Sequence, residues 1–169
     1  MSSPNQPRDP SAPTRVLFVC YANVTRSPLA EGVLRHLVQE RGLADRFVVA
    51  SAGISAFEGS PPDPGSVAIA ARNGIALAGR SRQMSRQDLF DNHHVLVADR
   101  QVAERIRRLM GASAFGELGV PARVRMLARL ADPQATDVPD PIGGGPAGYA
   151  DLYALVHRAC TVLLDELAR

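Results

Sequence analysis

Cys20 and Arg26 have the residue types and the spacing that phosphoryl transfer requires. Five residues separate them, the cysteine ends the apolar run 16–20, and the arginine directly precedes a predicted helix start at Ser27-Pro28. A loop this short must curl, which gathers backbone N–H groups beside the positive end of the helix and makes a site for an oxyanion such as phosphate. The same field stabilises a thiolate, the nucleophilic form of cysteine. The planar guanidinium of Arg26 can hold two oxygens of a transferring phosphoryl group.

The residues inside this loop complete the predicted phosphate site. Asn23 tolerates the positive φ that a tight loop demands, and the Ser27 hydroxyl can donate to the sulfur of Cys20. A bare C-x5-R spacing also arises by chance, with a small core cysteine and a solvated arginine, but the strand before it and the helix start after it favour the functional interpretation. The predicted phosphate-binding residues are Tyr21, Ala22, Asn23, Val24, Thr25, Arg26 and Ser27.

A second segment offers the acid that such a reaction needs. Asp137 and Asp140 lie in a Pro-rich stretch near the C-terminus, and Pro139 and Pro141 hold Asp140 stiffly, so Asp140 is the preferred candidate. A carboxylic acid there could protonate a departing oxygen. Asp-Pro is also a common turn, so on local grounds alone a catalytic and a structural role for Asp140 are equally open.

The elements that must position these residues follow from the hydrophobic pattern. Residues 16–20 form a continuous apolar run, typical of a strand buried on both faces of a parallel sheet. Ser27 is placed to cap the next helix, Pro28 occupies its first position and Gly42 ends it. Strands alternate with helices, which predicts a three-layer α/β sandwich with a parallel sheet. The other predicted strands span 47–50, 95–98 and 124–127, and the other helices lie near 67–71, 85–90, 101–110 and 147–167.

Composition excludes several function classes. The chain has 169 residues, 46% apolar, with a net charge of +2, which predicts a globular protein that binds neither nucleic acid nor an acidic membrane. All 19 cations are arginines. The absence of lysine excludes a P-loop nucleotidase, a protein kinase and a pyridoxal Schiff-base enzyme, since each needs a specific lysine amine. Cys20 and Cys160 are too few for a disulfide framework, so a reducing, cytoplasmic location is expected.

The chain is predicted to consist of one domain. Residues 1–14 are rich in proline and poor in apolar residues, so we expect a disordered tail, and residues 15–169 form the domain. There is no secretory signal and no run long enough to span a membrane. The G-x-G-x-x-G pattern at 143–148 follows a Pro-rich loop instead of a strand, so no dinucleotide is expected. The histidines lack ligand spacing, so neither a metal nor any other cofactor is expected.

Two ordered motifs carry a resemblance to a known family. The run Val19-Cys20-x-x-Asn23-x-x-Arg26-Ser27-Pro28, followed far downstream by Asp140-Pro141, resembles the low-molecular-weight protein tyrosine phosphatases. The resemblance continues through several shorter segments and covers about residues 15 to 168. It implies a four-stranded parallel sheet of the phosphatase I-like type and metal-free hydrolysis of phosphomonoesters. The shorter segments are 51–53, 62–64, 71–75, 81–83 and 98–99.

The resemblance also implies roles for the candidate residues. Cys20 would attack phosphorus and form a cysteinyl-phosphate, while Arg26 and the loop amides hold the oxygens. Asp140 would protonate the leaving oxygen and then activate the water that releases phosphate. Phe57 and Ile142 would line the substrate pocket. The implied substrate is a phosphotyrosine-containing protein or a small aryl phosphate.

The chain departs from the family pattern at several positions. Ala22 stands where glycine is usual, and Thr25 stands where many members have a second cysteine, so Cys20 cannot be protected by a disulfide inside the loop. Ile142 and residues 143–145, all glycine, stand where aromatic residues commonly follow the acid. Three consecutive glycines predict a more mobile acid loop with one weakened aromatic wall. Near the start of the last helix, Tyr149 is expected to pack and Tyr153 is a candidate for modification.

These departures keep two alternatives open beside a phosphatase. The first is a module that binds phosphate or a phosphoprotein with vestigial turnover, which Ala22, Thr25 and Ile142 motivate. The second is arsenate reduction on the same scaffold, which normally needs additional cysteines. Only Cys160 is available for that chemistry, so this alternative ranks last.

Overall fold

The computed structural model describes residues 11–110 and 123–169, and a four-stranded parallel sheet forms its centre. The strand order is β2-β1-β3-β4, so β1 is central, with β2 on one side and β3 on the other. The predicted three-layer α/β architecture is confirmed. The strands are β1 (Thr14–Cys20), β2 (Phe47–Gly53), β3 (His94–Val97) and β4 (Arg123–Met126).

Helices cover both faces of the sheet. They are α1 (Arg26–Glu40), α2 (Pro64–Arg72), α3 (Asp88–Asp91), α4 (Arg100–Met110), α5 (Leu127–Ala131) and α6 (Gly145–Leu167), and a short 3₁₀ turn spans Ala44–Arg46. Alternation along β1 divides the core. Val16, Phe18 and Cys20 face α1, α2, α5 and α6, whereas Leu17 and Val19 face α3 and α4. Each large apolar side chain buried in these layers stabilises the fold by about 1.5–3 kcal/mol.

The start of α1 differs from the prediction. The helix begins at Arg26 and Thr25 is the N-cap residue, so the expectation of a Ser27 cap with Pro28 in the first position is wrong by two residues. The reason is that the Ser27 hydroxyl contacts the Cys20 sulfur and the Asn23 amide, and is not used as a cap. The short helix α5 was also not predicted.

Two further expectations concern the N-terminal tail and membrane-spanning segments. Strand β1 starts at Thr14, two residues before the apolar run, and Thr14 pairs with Phe47. The expected disordered tail, residues 1–14, falls mainly on residues 1–10, which lie outside the described residues. Within 11–110 and 123–169, no helix is both long and apolar enough to cross a bilayer.

Candidate active site

Residues 20–27, here called the nucleophile loop, join β1 to α1 at the carboxyl edge of the sheet. Ligands bind at this edge in open α/β sheets. Cys20 Sγ lies 2.9 Å from Ser27 Oγ, and the Asn23 backbone N–H donates to the sulfur at 3.3 Å. Cys20 is only 2% exposed, so these two contacts act in a low-dielectric setting where hydrogen bonds to charge are strong.

The carbonyl groups of the nucleophile loop point outwards. The carbonyl oxygen of Cys20 accepts from Ile54 N–H at 3.1 Å, and that of Tyr21 accepts from Ser55 N–H at 2.9 Å. The Val24 carbonyl accepts from the Asp63 N–H at 2.7 Å, and that of Thr25 accepts from a side-chain hydroxyl at 3.0 Å. In a trans peptide the N–H points opposite to the C=O, so the next N–H in each case turns toward the inside of the loop. Those donors belong to residues 21, 22, 25 and 26.

Asn23 holds the loop in this shape. Its φ of 57° confirms the predicted left-handed conformation, which asparagine tolerates better than most residues. Its side-chain amide donates to Ser27 Oγ at 2.8 Å and to Ser51 Oγ at 3.0 Å, and its Oδ1 accepts from the Arg82 N–H at 2.9 Å. One buried side chain therefore connects the loop to β2 and to the segment around Arg82.

Gly53, at the end of β2, packs directly against the backbone of the nucleophile loop. A Cβ at this position would lie 2.7 Å from the Tyr21 carbonyl oxygen and 2.9 Å from backbone atoms of Ala22 and Asn23. Backbone cannot move aside without changing the loop, so only glycine fits. The sequence shows Gly53 as one of many glycines, and its role depends on a close approach that sequence does not reveal.

Arg26 is fixed by a carboxylate that sequence reasoning missed. Its Nη1 donates to Asp99 Oδ2 at 2.8 Å and to the Val138 carbonyl oxygen at 2.9 Å, and Arg26 is 6% exposed. Asp99 Oδ1 also accepts from the Val102 N–H at 2.8 Å, in the first turn of α4. The available signal was an acidic residue just beyond buried strand β3, a strand that lies beside β1.

Arg26 and Asp140 share one cavity. Its volume is about 450 Å³, and its lining includes both residues together with Tyr21, Asp99 and Gln101. Asp140 is exposed, and its Oδ1 accepts from the Ile142 N–H at 3.1 Å. The structure thus brings together two residues that are 114 positions apart in the chain, counted as 140 minus 26.

The predicted pocket walls lie further out. Phe57 is 85% exposed and Ile142 is 60% exposed, and neither is among the residues that line this cavity. The ring that does line it belongs to Tyr21, which is 45% exposed and was predicted only as a phosphate-loop residue. Ser81 holds the Phe57 loop, since its hydroxyl donates to the Phe57 carbonyl and accepts from the Ser60 N–H at 2.9 Å.

Tyr149 ties the start of α6 to the nucleophile loop. Its ring packs so closely on Gly65 that any Cβ there would collide with it. A hydrogen bond to Asp63 is the main reason that the pKa of Tyr149 rises to about 12. Asp63 in turn donates its N–H to the Val24 carbonyl oxygen. Tyr149 therefore has the packing role that the sequence suggested.

A comparison with known families decides what this arrangement is. The family model described as low molecular weight phosphotyrosine protein phosphatase matches residues 15–169. The chain belongs to this family.

Individual members of the phosphatase family are similar over nearly the whole chain. A low molecular weight protein-tyrosine-phosphatase of Streptomyces coelicolor is 36% identical over 156 residues, covering 89% of this chain and 91% of that protein. YfkJ of Bacillus subtilis is 33% identical over 156 residues, covering 91% and 96%. The YfkJ crystal structure superposes with a TM-score of 0.83, and that of DARP, a drosophila arginine phosphatase, with 0.79 at 27% identity and coverage of 89% and 96%.

The other potentially reactive groups of this phosphatase are set apart from the site. Cys160 is fully buried on α6, where burial raises the pKa of its thiol and the S–H donates to the Ala30 carbonyl at 3.7 Å. A thiol in that setting is inert. Across the described ranges, no three His, Cys, Asp or Glu side chains come together as a metal-binding group.

Proposed function

We propose that the chain hydrolyses phosphotyrosine in proteins, and small aryl phosphates, through a cysteinyl-phosphate on Cys20. The observation that carries this proposal is the cavity that Arg26 and Asp140 share with Tyr21, the residue next to Cys20; Cys20 itself is buried and is not among the lining residues. A nucleophile, an anion-binding loop and an acid are the three parts that metal-free transfer of a phosphoryl group needs.

In the first step the Cys20 thiolate attacks phosphorus in line with the phenolic oxygen. The S–P bond forms as the P–O bond to the ring breaks, and Asp140 delivers its proton to the departing oxygen. Arg26 and the inward-facing loop N–H groups hold the three non-bridging oxygens, where charge is spread in the transition state. The Asn23 N–H and the Ser27 hydroxyl lie 3.3 and 2.9 Å from the sulfur, where both can donate to it.

In the second step water replaces the sulfur. Asp140, now a carboxylate, accepts a proton from the water as its oxygen attacks phosphorus. The S–P bond breaks, the electron pair returns to Cys20 as thiolate, and inorganic phosphate leaves. Because one residue serves as acid and then as base, the two steps return Asp140 to its starting protonation state.

Exposed apolar side chains support an aromatic substrate. The ring of Tyr21 lines the cavity, and Phe57 and Ile142 present their side chains to solvent, so an aryl group can pack on such surfaces. Residues 143–145 are glycines and have no side chain, so they contribute little apolar surface to the substrate pocket beyond Asp140. We also propose a cytoplasmic location, because two cysteines are too few for a disulfide framework, and no nucleic-acid or membrane partner, because the net charge of +2 is balanced.

Two other functions remain as outcomes of the test. A phosphate-binding module would retain the nucleophile loop but show no turnover. Arsenate reduction would need another thiol near Cys20, whereas Cys160 is buried on α6 and hydrogen-bonded to Ala30.

The test is hydrolysis of an aryl phosphate and of phosphotyrosine and phosphoarginine peptides. The variants are Cys20→Ser, Asp140→Asn and, as a matched cysteine control, Cys160→Ala. We expect no turnover with Cys20→Ser, a fall of about 10²-fold or more with Asp140→Asn, and near wild-type rates with Cys160→Ala. Phosphate binding by a wild type that shows no turnover would contradict the proposal, and preference for phosphoarginine would contradict the substrate assignment.

A further inference from the structure

The segment that carries Asp140 is anchored to the end of β3 and to α4 on its upstream side, and it reaches the start of α6 through glycines on its downstream side. Upstream, the Val138 N–H donates to the Ala98 carbonyl oxygen at 2.7 Å. Downstream, Gly143 and Gly145 have φ values of 83° and 71°, and open space surrounds the place where each Cβ would be. Three glycines in a row restrain the backbone weakly. Pro141 is buried and its carbonyl accepts from the Gly144 N–H at 2.9 Å, which is a local contact. The upstream anchor is therefore the one that ties Asp140 to the elements that hold Arg26.

An ion pair between Arg100 and Asp137 supplies much of that anchor. The Arg100 backbone N–H donates to Asp137 Oδ1 at 3.0 Å, and Nη2 donates to Oδ2 at 3.1 Å. Nε lies 3.3 Å from Oδ1 and 3.4 Å from Oδ2. This is a bidentate guanidinium–carboxylate contact, which fixes the orientation of the two side chains as well as the distance between them. Because Arg100 is the first residue of α4, the pair ties the acid segment to a rigid helix start.

The same helix start also holds the phosphate-binding arginine. Asp99, directly before Arg100, accepts from Arg26 and caps α4 through its second oxygen. Arg26 in turn donates to the Val138 carbonyl, between Asp137 and Asp140. Adjacent residues at one helix end therefore place the phosphate-holding group and the acid segment relative to each other.

We propose that Arg100 and Asp137 are positioning residues, which keep Asp140 within proton-transfer distance of the leaving oxygen despite the glycine segment that follows it. The inference rests on the proposed role of Asp140 as general acid. A displacement of a catalytic group by about 1 Å can lower a rate by about 10²-fold, so loss of the Arg100–Asp137 ion pair should have a measurable effect on the rate.

The pair is better suited to positioning than to global stability. Arg100 is 74% exposed and Asp137 is 39% exposed, and exposed ion pairs contribute little to unfolding free energy. Hydrogen bonds from Arg100 hold the pKa of Asp137 below its ordinary value, so the pair is ionised at neutral pH. Removing it should move the acid segment without unfolding the protein.

The test is a double-mutant cycle of Arg100→Gln, Asp137→Asn and the double variant, with kcat/KM measured for phenyl, nitrophenyl and dinitrophenyl phosphates. Since kcat/KM covers the steps through departure of the phenol, it reports protonation of the leaving oxygen. Dinitrophenolate departs without a proton, and phenolate departs poorly without one. We expect each single variant to lose about fivefold for phenyl phosphate and less than about twofold for dinitrophenyl phosphate.

Three further measurements complete the cycle. The double variant should be no worse than either single variant, because the two side chains act as a unit. Arg100→Lys keeps the charge but loses the bidentate contact, so its kcat/KM should lie between those of Arg100→Gln and wild type. Arg41→Gln, which removes a remote surface pair with Asp165 at 2.6 Å, should behave as wild type for every ester.

Asp140→Asn separates failure of this inference from failure of the proposed function. If Asp140→Asn shows the steep dependence on leaving group and the Arg100 and Asp137 variants do not, the positioning role is wrong while the acid assignment holds. If Asp140→Asn shows no such dependence, the acid assignment fails and the inference fails with it. An equal loss of kcat/KM for all esters in the Arg100 and Asp137 variants would indicate a general structural role and would also overturn the proposal.

Discussion

Asn23 combines a backbone conformation and a set of hydrogen bonds that no aliphatic residue could supply. Its positive φ closes the nucleophile loop, and its amide group contacts Ser27, Ser51 and the Arg82 backbone. The sequence could predict the φ, because asparagine in a tight loop suggests it. The sequence could not predict the partners from β2 and the Arg82 segment, because those contacts form only when the sheet assembles.

The first prediction at this scale concerns Asn23→Ala. Loss of a buried, fully bonded amide, together with an alanine at positive φ, should lower the unfolding free energy by about 1–3 kcal/mol. Phosphate affinity and kcat/KM should both fall by at least about tenfold, because the loop N–H groups no longer converge. Urea unfolding and titration with inorganic phosphate measure these effects. Asn73→Ala, which removes one exposed contact to Ile69, is the matched control. Equal phosphate affinity in wild type and Asn23→Ala would contradict this role.

Thr25 leads to a second prediction, about oxidation. Its hydroxyl is buried without a hydrogen-bond partner among the described residues, so Thr25→Cys sacrifices no internal hydrogen bond. A cysteine here could condense with a Cys20 sulfenic acid to form a disulfide, which a thiol can reduce. After peroxide and then dithiothreitol, the variant should recover more activity than wild type. Full recovery of the wild type after heavy oxidation would contradict the prediction.

At the scale of elements, the site depends on which strands are neighbours. The apolar runs and loops predicted the alternation of strands and helices, and the strand ends placed Cys20 correctly at the sheet edge. Asp99 was not recognised as the partner of Arg26, because that contact requires β3 to lie beside β1. The wrong start of α1 has a similar cause, since the Ser27 hydroxyl serves the sulfur instead of the helix.

Gly53→Ala tests how β2 supports the nucleophile loop. The new methyl group would press on backbone of Tyr21, Ala22 and Asn23, so we expect the loop to distort and kcat/KM to fall by about tenfold or more. Gly148→Ala is the control, because its Cβ would only touch Pro141 at 3.4 Å and alanine favours a helix by up to about 1 kcal/mol. Unchanged kinetics in Gly53→Ala would show that the loop does not need this close approach.

At the scale of the whole molecule, the ion pair between Arg82 and Asp88 links stability to pH. Arg82 donates two hydrogen bonds to Asp88, at 3.0 and 2.9 Å, and so connects the segment that contacts Asn23 to α3. Burial alone would raise the pKa of Asp88, but the bonds from Arg82 and Ser85 outweigh it and hold the pKa below its ordinary value.

We further propose that residues 15–169 form one domain, since α6 near the C-terminus packs on α1.

Asp88→Asn should make unfolding less sensitive to acid. A carboxyl group whose pKa is lowered by folding stabilises the protein above its unfolded pKa of about 4, and that contribution is lost as the pH falls through the folded value. The variant should therefore be less stable than wild type at neutral pH, and the difference should shrink in acid. Urea unfolding between about pH 7 and about pH 3 measures it. A difference that stays constant over this range would contradict the assignment.

The central claim is that the phosphoryl group passes through the sulfur of Cys20, and trapping the intermediate tests it most directly. Asp140→Asn should be mixed with dinitrophenyl phosphate, whose leaving group needs no proton, so that attack proceeds while hydrolysis of the intermediate is slow. A rapid denaturing quench and mass spectrometry of the peptides then locate the phosphoryl group. We predict one phosphoryl group on the peptide that contains Cys20 and none in the Cys20→Ser protein. Release of dinitrophenol with no phosphoryl group on Cys20, or with one on another residue, would contradict the account.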